Sequence, residues 1–532
     1  MPMFSLDFGV RKDSSKSSFS RSSIDSIDSL SGSLKKSFGQ PHYKSAVEAS
    51  GKLDFGELEL ELHDARYMLR GYKEKNQCEG WCKPSCIPIT IILILIILVV
   101  VLSLIDQNQI ENATREQIRL KKDWAKCRKE CRLDLLESIP EGLTFNSTTT
   151  HSSTYSGWVQ LLELAKESIE IGSFYWNLVD DSIAPEYTEE GRDIYQRLLE
   201  AGTTRGIKIK IAQNIASDQY PNLDTLNLKN AKAAEVRSLD FDRLVGSGVL
   251  HTKMWVVDRT HVYVGSANFD WKSLTQVKEL GILATNCTCF AKDLGKVFDV
   301  YWKLGENNSK VPDKWPSSYA TIYNKDNPMD ISFNGEKYSS YLSSAPSQFN
   351  PKGRTFDLDA IQDVITNATK FIDIAVMDYS PSLLYSHPPK FWPIIDNALR
   401  SAAIDRGVSV RLLISQWDHT RNSTYKFLKS LQDINNVYQN VDVQVKLFKV
   451  PATPAQKLIP FARVNHNKYM VTDNSAFIGT SNWSGDYFTG TAGVGFVVTR
   501  NNKSDVDSDN DIRSQVAQIF KRDWNSDYAK YL

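Results

Sequence analysis

The chain has 532 residues, a length that allows two or three domains and a sizeable core. Lysine plus arginine and aspartate plus glutamate each number 63, so the formal net charge is zero. Global charge therefore neither favours nor excludes a polyanionic partner, and any positive field must be local.

The first segment, residues 1–86, is predicted to be a disordered cytosolic tail. Twelve serines fall between Ser14 and Ser37, mixed with Lys, Arg and Asp and with few large apolar side chains. A segment of this composition cannot bury enough apolar surface to offset the entropy lost on ordering.

The next segment, residues 87–105, reads IPITIILILIILVVVLSLI and contains no charged residue. As a helix it would span about 28 Å, close to the ~30 Å of a bilayer core. A cleaved signal peptide would stand at the N-terminus rather than here, and a buried core helix would usually be shorter. We therefore predict a single transmembrane helix.

The orientation of this helix is predicted from Asn-x-Ser/Thr glycosylation triplets, because basic residues flank it on both sides. All of the triplets lie after the helix, which favours a C-terminal part in the secretory lumen and a type II membrane protein. We predict glycans on seven of these asparagines: Asn112, Asn146, Asn286, Asn307, Asn367, Asn422 and Asn502. Asn482 also begins a triplet, but it lies in the motif described below and is predicted to be buried and unmodified.

Four cysteines follow the helix: Cys127, Cys131, Cys287 and Cys289. An even number in an oxidising lumen predicts two disulfides, and a metal site is the alternative interpretation of the Cys-x-x-x-Cys and Cys-x-Cys spacings. Because Cys-x-Cys is poorly placed to close on itself, we predict that the bonds join the Cys127/Cys131 pair to the Cys287/Cys289 pair.

The luminal region reads as two similar halves, residues 106–320 and 321–532. SIEIGSFYW from Ser168 and FIDIAVMDY from Phe371 have the pattern of buried strands, and each precedes a helical stretch and a second strand. Repeated strand, helix and strand indicate an α/β fold with mixed sheets.

Each half ends in the same motif. HTKMWVVDRTHVYVGSANFD begins at His251, and HNKYMVTDNSAFIGTSNWSGD begins at His466. His-x-Lys on a strand points both side chains to one face. Two such strands related by a pseudo-twofold axis could bring two imidazoles and two ammoniums into one pocket. The matched residues are His251, Lys253, Asp258, Ser266 and Asn268 with His466, Lys468, Asp473, Thr480 and Asn482.

These segments resemble the paired His-x-Lys-Asp motifs of the phospholipase D superfamily. NFDWKSLTQVKELG, FWPIIDNALR and ARVNHNKYMVT resemble its animal branch of endolysosomal 5′-exonucleases, which contains the third and fourth phospholipase D members. The resemblance implies a duplicated phospholipase D-like fold, a site without metal or cofactor, and phosphodiester cleavage through a phosphohistidine. It also implies passage through the endoplasmic reticulum and Golgi to endosomes and lysosomes.

Roles for the motif residues follow from this chemistry. We assign His251 as the nucleophile and His466 as the general acid. Glu279 lies where superfamily members often have a carboxylate that orients an imidazole, so the resemblance implies that Glu279 orients His251. No acid stands at the matching place near Gly493, so the partner of His466 is left without a prediction. Phosphate contacts are assigned to Lys253, Lys468, Asn268, Asn482, Ser266 and Thr480, and a strand-fixing role to Asp258 and Asp473.

Three functions remain open at this stage. The first is a luminal 5′-to-3′ exonuclease on single-stranded DNA or RNA, the second a lysosomal phospholipase D or transphosphatidylase, and the third a non-catalytic binding relative. The oligomeric state is also open, with a homodimer among the options. The remaining histidines and most aromatic residues are interpreted as ordinary surface or core side chains: His151, His261, His387 and His419, with the tryptophans and tyrosines.

Overall fold

The computed structural model describes residues 91–104, 107, 111, 131–333, 336–501 and 511–532. Residues 91–104 form a helix with exposed side chains. Among the described residues, no helix combines the length and the apolar character needed to cross a membrane. The predicted tail, together with residues 87–90 and 105 of the predicted span, lies outside this part of the chain.

The first half is built on an eight-stranded sheet in the order β2-β1-β10-β8-β7-β3-β5-β6. The strands of this half are β1 Arg132–Ser138, β2 Ser152–Ser153, β3 Ser168–Ser173, β4 Trp176–Asn177, β5 Lys208–Asn214, β6 Ala234–Leu239, β7 Met254–Val257, β8 His261–Gly265, β9 Phe269–Asp270 and β10 Glu279–Thr285. Of these, β4 and β9 pair with each other outside the eight-stranded sheet. Its helices are α1 Thr154–Leu164, α2 Pro185–Thr203, α3 Leu223–Asn230, α4 Phe241–Leu244, α5 Trp271–Thr275 and α6 Thr288–Leu304.

The second half is built on a ten-stranded sheet, whose main path runs β11-β12-β21-β20-β19-β14-β17-β18-β22. The strands of this half are β11 Met329–Phe333, β12 Glu336–Ala345, β13 Thr355–Phe356, β14 Phe371–Val376, β15 Ser382–Leu383, β16 Lys390–Phe391, β17 Ser409–Ser415, β18 Val443–Phe448, β19 Lys468–Thr472, β20 Ser475–Gly479, β21 Gly493–Arg500 and β22 Ala529–Tyr531. Of these, β13 pairs with β12 beside the main path, and β15 and β16 pair with each other outside the sheet. Its helices are α7 Asp357–Asn367, α8 Ile394–Arg406, α9 Asn422–Gln432, α10 Asp486–Thr489 and α11 Ile512–Trp524.

The two sheets repeat one topology. The path β1-β10-β8-β7-β3-β5-β6 of the first sheet returns as β12-β21-β20-β19-β14-β17-β18 in the second. In both, three strands are parallel (β3, β5 and β6; β14, β17 and β18), and the remaining neighbours on this path are antiparallel. The mixed α/β duplication predicted from the sequence is confirmed, and the strand patterns at Ser168 and Phe371 are β3 and β14.

The halves share a core, so neither is a separate globule. One buried cluster combines Ile282 and Phe298 of the first half with Leu342, Phe496 and Phe520 of the second. Each half also has a cluster of its own beneath its parallel strands. The predicted boundary at residue 320 falls between α6 and β11, outside both sheets.

A disulfide joins Cys131, at the start of β1, to Cys287, just before α6, with their Cα atoms 4.4 Å apart. This bond links the two predicted cysteine pairs. Cys289 is also disulfide-bonded, and Cys127 lies outside the described residues.

Candidate active site

Both motif histidines are held by backbone atoms of the opposite half. The backbone N–H of His251 donates to the carbonyl of Ala492 at 3.0 Å, and that of His466 donates to the carbonyl of Lys278 at 2.8 Å. These contacts are equivalent under the pseudo-twofold relation. The pairing of the halves therefore positions both imidazoles at once.

The two imidazoles line one cleft between the halves, here called the central cleft, with a volume of about 630 Å³. Side chains from both halves form its walls. They include Phe174, Tyr175, Tyr220, Asn268, Asp270, Lys272, Glu279, Met377, Trp417, Phe461, Asn482 and Tyr487.

The two motif lysines lie buried beside the histidines. The ammonium of Lys253 donates to the carbonyl of His251 at 2.5 Å, and that of Lys468 donates to the carbonyl of His466 at 2.8 Å. The first motif lies immediately before β7, which begins at Met254, rather than within the strand as predicted. In the second motif Lys468 is the first residue of β19. The side chain of each lysine turns back to the carbonyl of its own histidine.

Burial governs the protonation of these lysines. It lowers the pKa of Lys468 to about 7, and burial with the neighbouring Lys468 charge lowers the pKa of Lys253 well below its usual value. Two desolvated cations side by side are unfavourable without a counter-charge. An anion in the central cleft would stabilise both ammoniums.

The expected partnership between Glu279 and His251 is wrong. The carboxylate of Glu279 instead accepts from Nδ1 of His466, at 2.8 and 3.0 Å, and it also accepts from the hydroxyl of Ser273 at 2.9 Å. The cause is the crossed pairing of the halves. Lys278 lies beside the segment that leads into His466, so the next residue faces the imidazole of the other half.

His251 is oriented by a backbone atom. Its Nδ1 lies 2.9 Å from the carbonyl oxygen of Thr480. Because a carbonyl only accepts, Nδ1 carries the hydrogen and Nε2 keeps its lone pair. The residue matching Glu279 is Gly493, where an added Cβ would lie 2.1 Å from Oγ of Ser481. A side chain at this position would have to displace the Ser481 hydroxyl, and the second half has no carboxylate at this point.

Burial is the main cause that lowers the pKa values of both histidines, and the neighbouring charges differ. Burial, followed by the charges of Lys253 and Lys468, lowers the pKa of His251 well below its usual value. Burial also lowers the pKa of His466 to about 4, although Glu279 opposes this shift. A phosphate anion would raise both, because it stabilises the imidazolium form.

The two predicted asparagines are buried in the cleft wall. Asn268 and Asn482 are 9% and 2% exposed, and within the described part of the chain the side-chain oxygen of each has no hydrogen-bond partner. The amide nitrogen of Asn482 donates to the hydroxyl of Tyr487 at 3.1 Å. Its burial agrees with the prediction that this triplet carries no glycan.

Ser266 and Thr480, both assigned to phosphate contacts, bond to the backbone of a neighbouring strand. The hydroxyl of Ser266 donates to the carbonyl of Leu280 at 3.2 Å and accepts from the N–H of Leu280 at 3.0 Å. The hydroxyl of Thr480 accepts from the N–H of Val494 at 2.9 Å. Both hydroxyls hold neighbouring antiparallel strands in register, and neither residue is among those that line the cleft.

The motif aspartates fix the strands, as the sequence suggested. The carboxylate of Asp258 accepts from the backbone N–H groups of Glu167 and Ser168 at 2.9 and 2.7 Å. Asp473 accepts from the N–H and hydroxyl of Thr369 at 3.0 and 2.6 Å. Asp258 thus holds the turn after β7 against the start of β3, and Asp473 holds the turn after β19 against the start of β14.

Several aromatic residues near the histidines were interpreted from the sequence as packing. The rings of Phe174 and Tyr487 lie 5.3 and 5.1 Å from the ring of His251. Tyr175 stacks on Tyr220 at 4.1 Å, and its hydroxyl donates to Asp270 at 2.8 Å. The clustering of aromatics in SFYW, at the end of a predicted strand, is the signal that could have identified this wall.

Ammonium, amide, imidazole and hydroxyl groups line or flank the cleft. Among the residues that the structure describes, no group of three or more histidine, cysteine or acidic side chains could hold a metal ion. The positive charge beside the histidines comes from Lys253 and Lys468.

Two duplicated α/β halves that meet at paired histidines and lysines define the class of phospholipase D-like proteins. The family described as PLD3/4, PLD-like domain matches residues 146–453, so the chain belongs to this family. The 5′-3′ exonuclease PLD3 of Bos taurus is 49% identical over 407 residues, which cover 76% of this chain and 81% of that protein.

Two further relatives extend the comparison. The 5′-3′ exonuclease PLD3 of Homo sapiens is 48% identical over 407 residues, which cover 76% of this chain and 81% of the human protein. The probable phospholipase D F09G2.8 of Caenorhabditis elegans is 44% identical over 458 residues, covering 85% of this chain and 78% of its own.

Proposed function

We propose that this protein is a metal-independent phosphodiesterase that shortens single-stranded DNA or RNA from the 5′ end through a phosphohistidine. One observation carries the proposal. Lys253 and Lys468, which are 0% and 1% exposed, flank two imidazoles that line the same cleft. Such a site favours an anion and holds a nucleophile and an acid. The names of the vertebrate relatives support the choice of substrate and direction.

In the first step, Nε2 of His251 attacks phosphorus. An N–P bond forms, the bond from phosphorus to the leaving oxygen breaks, and His466 gives its Nε2 proton to that oxygen. The carbonyl of Thr480 keeps the Nε2 lone pair of His251 free, while Glu279 stabilises the imidazolium of His466. These partners favour the assignment of His251 as nucleophile and His466 as acid.

In the second step, water replaces His251 on phosphorus. His466, now neutral, removes a proton from the water, a new P–O bond forms, and the N–P bond breaks. His466 ends protonated and His251 ends neutral, so the cycle closes. The ammoniums of Lys253 and Lys468 stabilise the non-bridging oxygens in both steps.

Stepwise shortening determines which bond breaks. Cleavage of P–O5′ leaves the shortened chain with a new 5′-hydroxyl and releases a nucleoside 3′-phosphate. Cleavage of P–O3′ would leave a 5′-phosphate, which we expect to obstruct the next round. Repeated turnover from a 5′-hydroxyl end therefore requires P–O5′ cleavage.

We also propose that the protein is type II, with residues 87–105 as its anchor and its catalytic part in the lumen of the endolysosomal pathway. Five of the predicted glycan sites within the described residues have exposed side chains, which supports the proposal: Asn146, Asn286, Asn307, Asn367 and Asn422. Asn112 and Asn502 lie outside the described residues. Glycosidase treatment after expression in a secretory host should lower the apparent mass in stages, and an unchanged mass would refute this topology.

The test of function compares two substrates for the purified full-length protein. A 5′-hydroxyl oligonucleotide and a phospholipid vesicle are incubated side by side with EDTA. We expect release of nucleoside 3′-phosphates, fastest at acidic pH, because the histidine pair must hold one proton and burial lowers the pKa of both imidazoles. A requirement for magnesium would refute the mechanism. Lipid cleavage without nuclease activity would keep the mechanism and replace the substrate, in line with the name of the nematode relative.

A further inference from the structure

A second cavity continues the central cleft on the side of the second half. It has a volume of about 1910 Å³ and is here called the aromatic groove. Trp417 and Phe461 line both the cleft and the groove. The exposed ammoniums of Lys449, Lys457 and Lys530 also line the groove and outnumber its two aspartates. A chain end in the cleft therefore has a continuous, positively charged path outward.

The backbone of Phe461 is held in an unusual conformation. Its φ is +57°, in the left-handed region that bulky residues rarely adopt, and its side chain is 44% exposed. Arg463 anchors the loop beside it by donating to the carbonyls of Pro451 at 2.9 Å and Glu141 at 2.8 Å. The fold thus tolerates local strain and presents an apolar ring to solvent, a combination found at functional sites.

The exposed ring belongs to an aromatic series. His419 lies against Phe461 at 4.7 Å with an interplanar angle of 16°, and Trp417 meets His419 edge-on at 4.7 Å. His419 was interpreted from the sequence as an ordinary histidine. Flat faces beside exposed lysines are the features that bind single-stranded nucleic acid without sequence preference.

We propose that the aromatic groove binds the nucleotides on the 3′ side of the scissile phosphate. This inference rests on the proposed function. His466 protonates the leaving O5′, so the departing chain must lie on the His466 side of phosphorus, opposite His251. Phe461 and Val464 belong to the segment that leads into His466, and both line the cleft. Bases would stack on the aromatic series, and phosphates would contact the lysines.

The test compares a substrate that reaches the groove with one that does not. Thymidine 3′-(4-nitrophenyl phosphate) has no nucleotide beyond the scissile phosphate, whereas an oligothymidylate of about ten nucleotides fills an extended site. In Phe461→Ala we expect the KM for the oligothymidylate to rise about tenfold, the loss expected for one stacked base. Because Phe461 also lines the central cleft, the test is the difference between the substrates: kcat/KM for the oligothymidylate should fall about tenfold more than kcat/KM for the small substrate. Phe461→Tyr should restore the low KM for the oligothymidylate.

Further variants separate stacking from fold stability. Phe461→Gly removes the ring and relieves the left-handed strain, so its melting temperature should equal or exceed that of the wild type while the oligothymidylate KM rises. Tyr438→Ala removes a ring that is 62% exposed elsewhere on the second half. It should change neither the melting temperature nor the oligothymidylate KM. Lys457→Gln should lower the slope of log affinity against log salt by about 0.7, the value for one phosphate contact.

The outcomes are distinguishable. Wild-type protein that cleaves neither nucleotide substrate would refute the proposed function, and the groove with it. Active wild type combined with Phe461 variants of unchanged oligothymidylate KM would refute the groove alone. Equal losses on both substrates would also refute it, because the ring would then act at the reacting phosphate.

Discussion

The two halves of the molecule share a topology but differ at the atoms that hold their histidines. The imidazole of His466 faces the carboxylate of Glu279, whereas that of His251 faces the carbonyl of Thr480. A carboxylate stabilises the protonated ring, and a neutral carbonyl fixes the tautomer with only a weak preference for charge. A duplicated motif can therefore supply an acid and a nucleophile through differences outside the motif itself.

The two halves also differ at the residues whose carbonyls hold the backbone of the histidines, Lys278 and Ala492. Lys278 is fully buried between Glu137 at 3.2 Å and Asp523 at 2.8 Å, and Arg522 also contacts both acids. The matching residue in the second half is Ala492, a small apolar side chain. Ionic contacts thus support the backbone beneath His466, while His251 rests on apolar packing.

The largest effect should come from removing either histidine. His251→Ala and His466→Ala should each lower oligonucleotide cleavage at least ~10³-fold, because each removes a group that forms or breaks a bond. With a 4-nitrophenyl leaving group, which needs no proton, only His251→Ala should abolish the first step.

The measurement is the burst of 4-nitrophenolate together with mapping of labelled phosphate trapped at acidic pH. His466→Ala should show the burst and carry its label on His251. Folding of both variants is checked by circular dichroism. Label found on His466 in the wild type would reverse the two roles.

Glu279→Gln tests the asymmetry directly, with an expected loss in kcat of about 10²-fold. Glu279 raises the pKa of His466 against the lowering effect of burial, so its removal lowers that pKa further. The protonated fraction of His466 then decreases at every pH. The alkaline limb of the pH-rate profile should move to lower pH, and Glu279→Asp should move it back. An unchanged profile would contradict the role of Glu279.

The sequence predicts the duplication and the identity of the motif residues, because both can be recognised from the order and type of the side chains along the chain. It does not predict the partner of either histidine. Glu279 follows His251 in the chain and yet contacts His466, since the halves exchange backbone pairing at Lys278 and Ala492. The oxygen of Thr480 is a backbone atom, so no residue type indicates it. The aromatic groove depends on the conformation of Phe461, which side-chain patterns do not encode.

Lys278→Met should affect stability more than chemistry. It leaves two buried carboxylates with one cation, and breaking a buried pair costs about 3 to 5 kcal/mol of unfolding free energy. Urea unfolding measures the loss. Lys303→Met, which breaks an exposed contact with Glu306, serves as the control and should unfold like the wild type. Equal behaviour of the two variants would show that the buried ions contribute nothing.

Acid unfolding provides a second measure of the same contact. Although burial raises the pKa of Glu137, Lys278 and Arg522 together lower it to about 2. A carboxyl with a folded pKa below its unfolded value of 4.5 contributes stability above that value, which is lost as pH falls through the folded pKa. Without Lys278 the folded pKa of Glu137 rises, so acid unfolding should begin at a higher pH.

The smallest expected effect is the loss of unfolding free energy on replacing Asp258 or Asp473, and it should be equal in the two halves. Asp258 and Asp473 bind the turn at the start of β3 and β14 in the same way, so the divergence at the histidines should not reach them. Asp258→Asn and Asp473→Asn each exchange a charged acceptor for an amide, with an expected cost of about 1 to 2 kcal/mol of unfolding free energy. Urea unfolding gives the two costs, and oligonucleotide kcat should stay near the wild-type value in both. A cost in unfolding free energy in one half alone would extend the asymmetry beyond the cleft. A large loss of kcat would place an aspartate in the catalytic machinery.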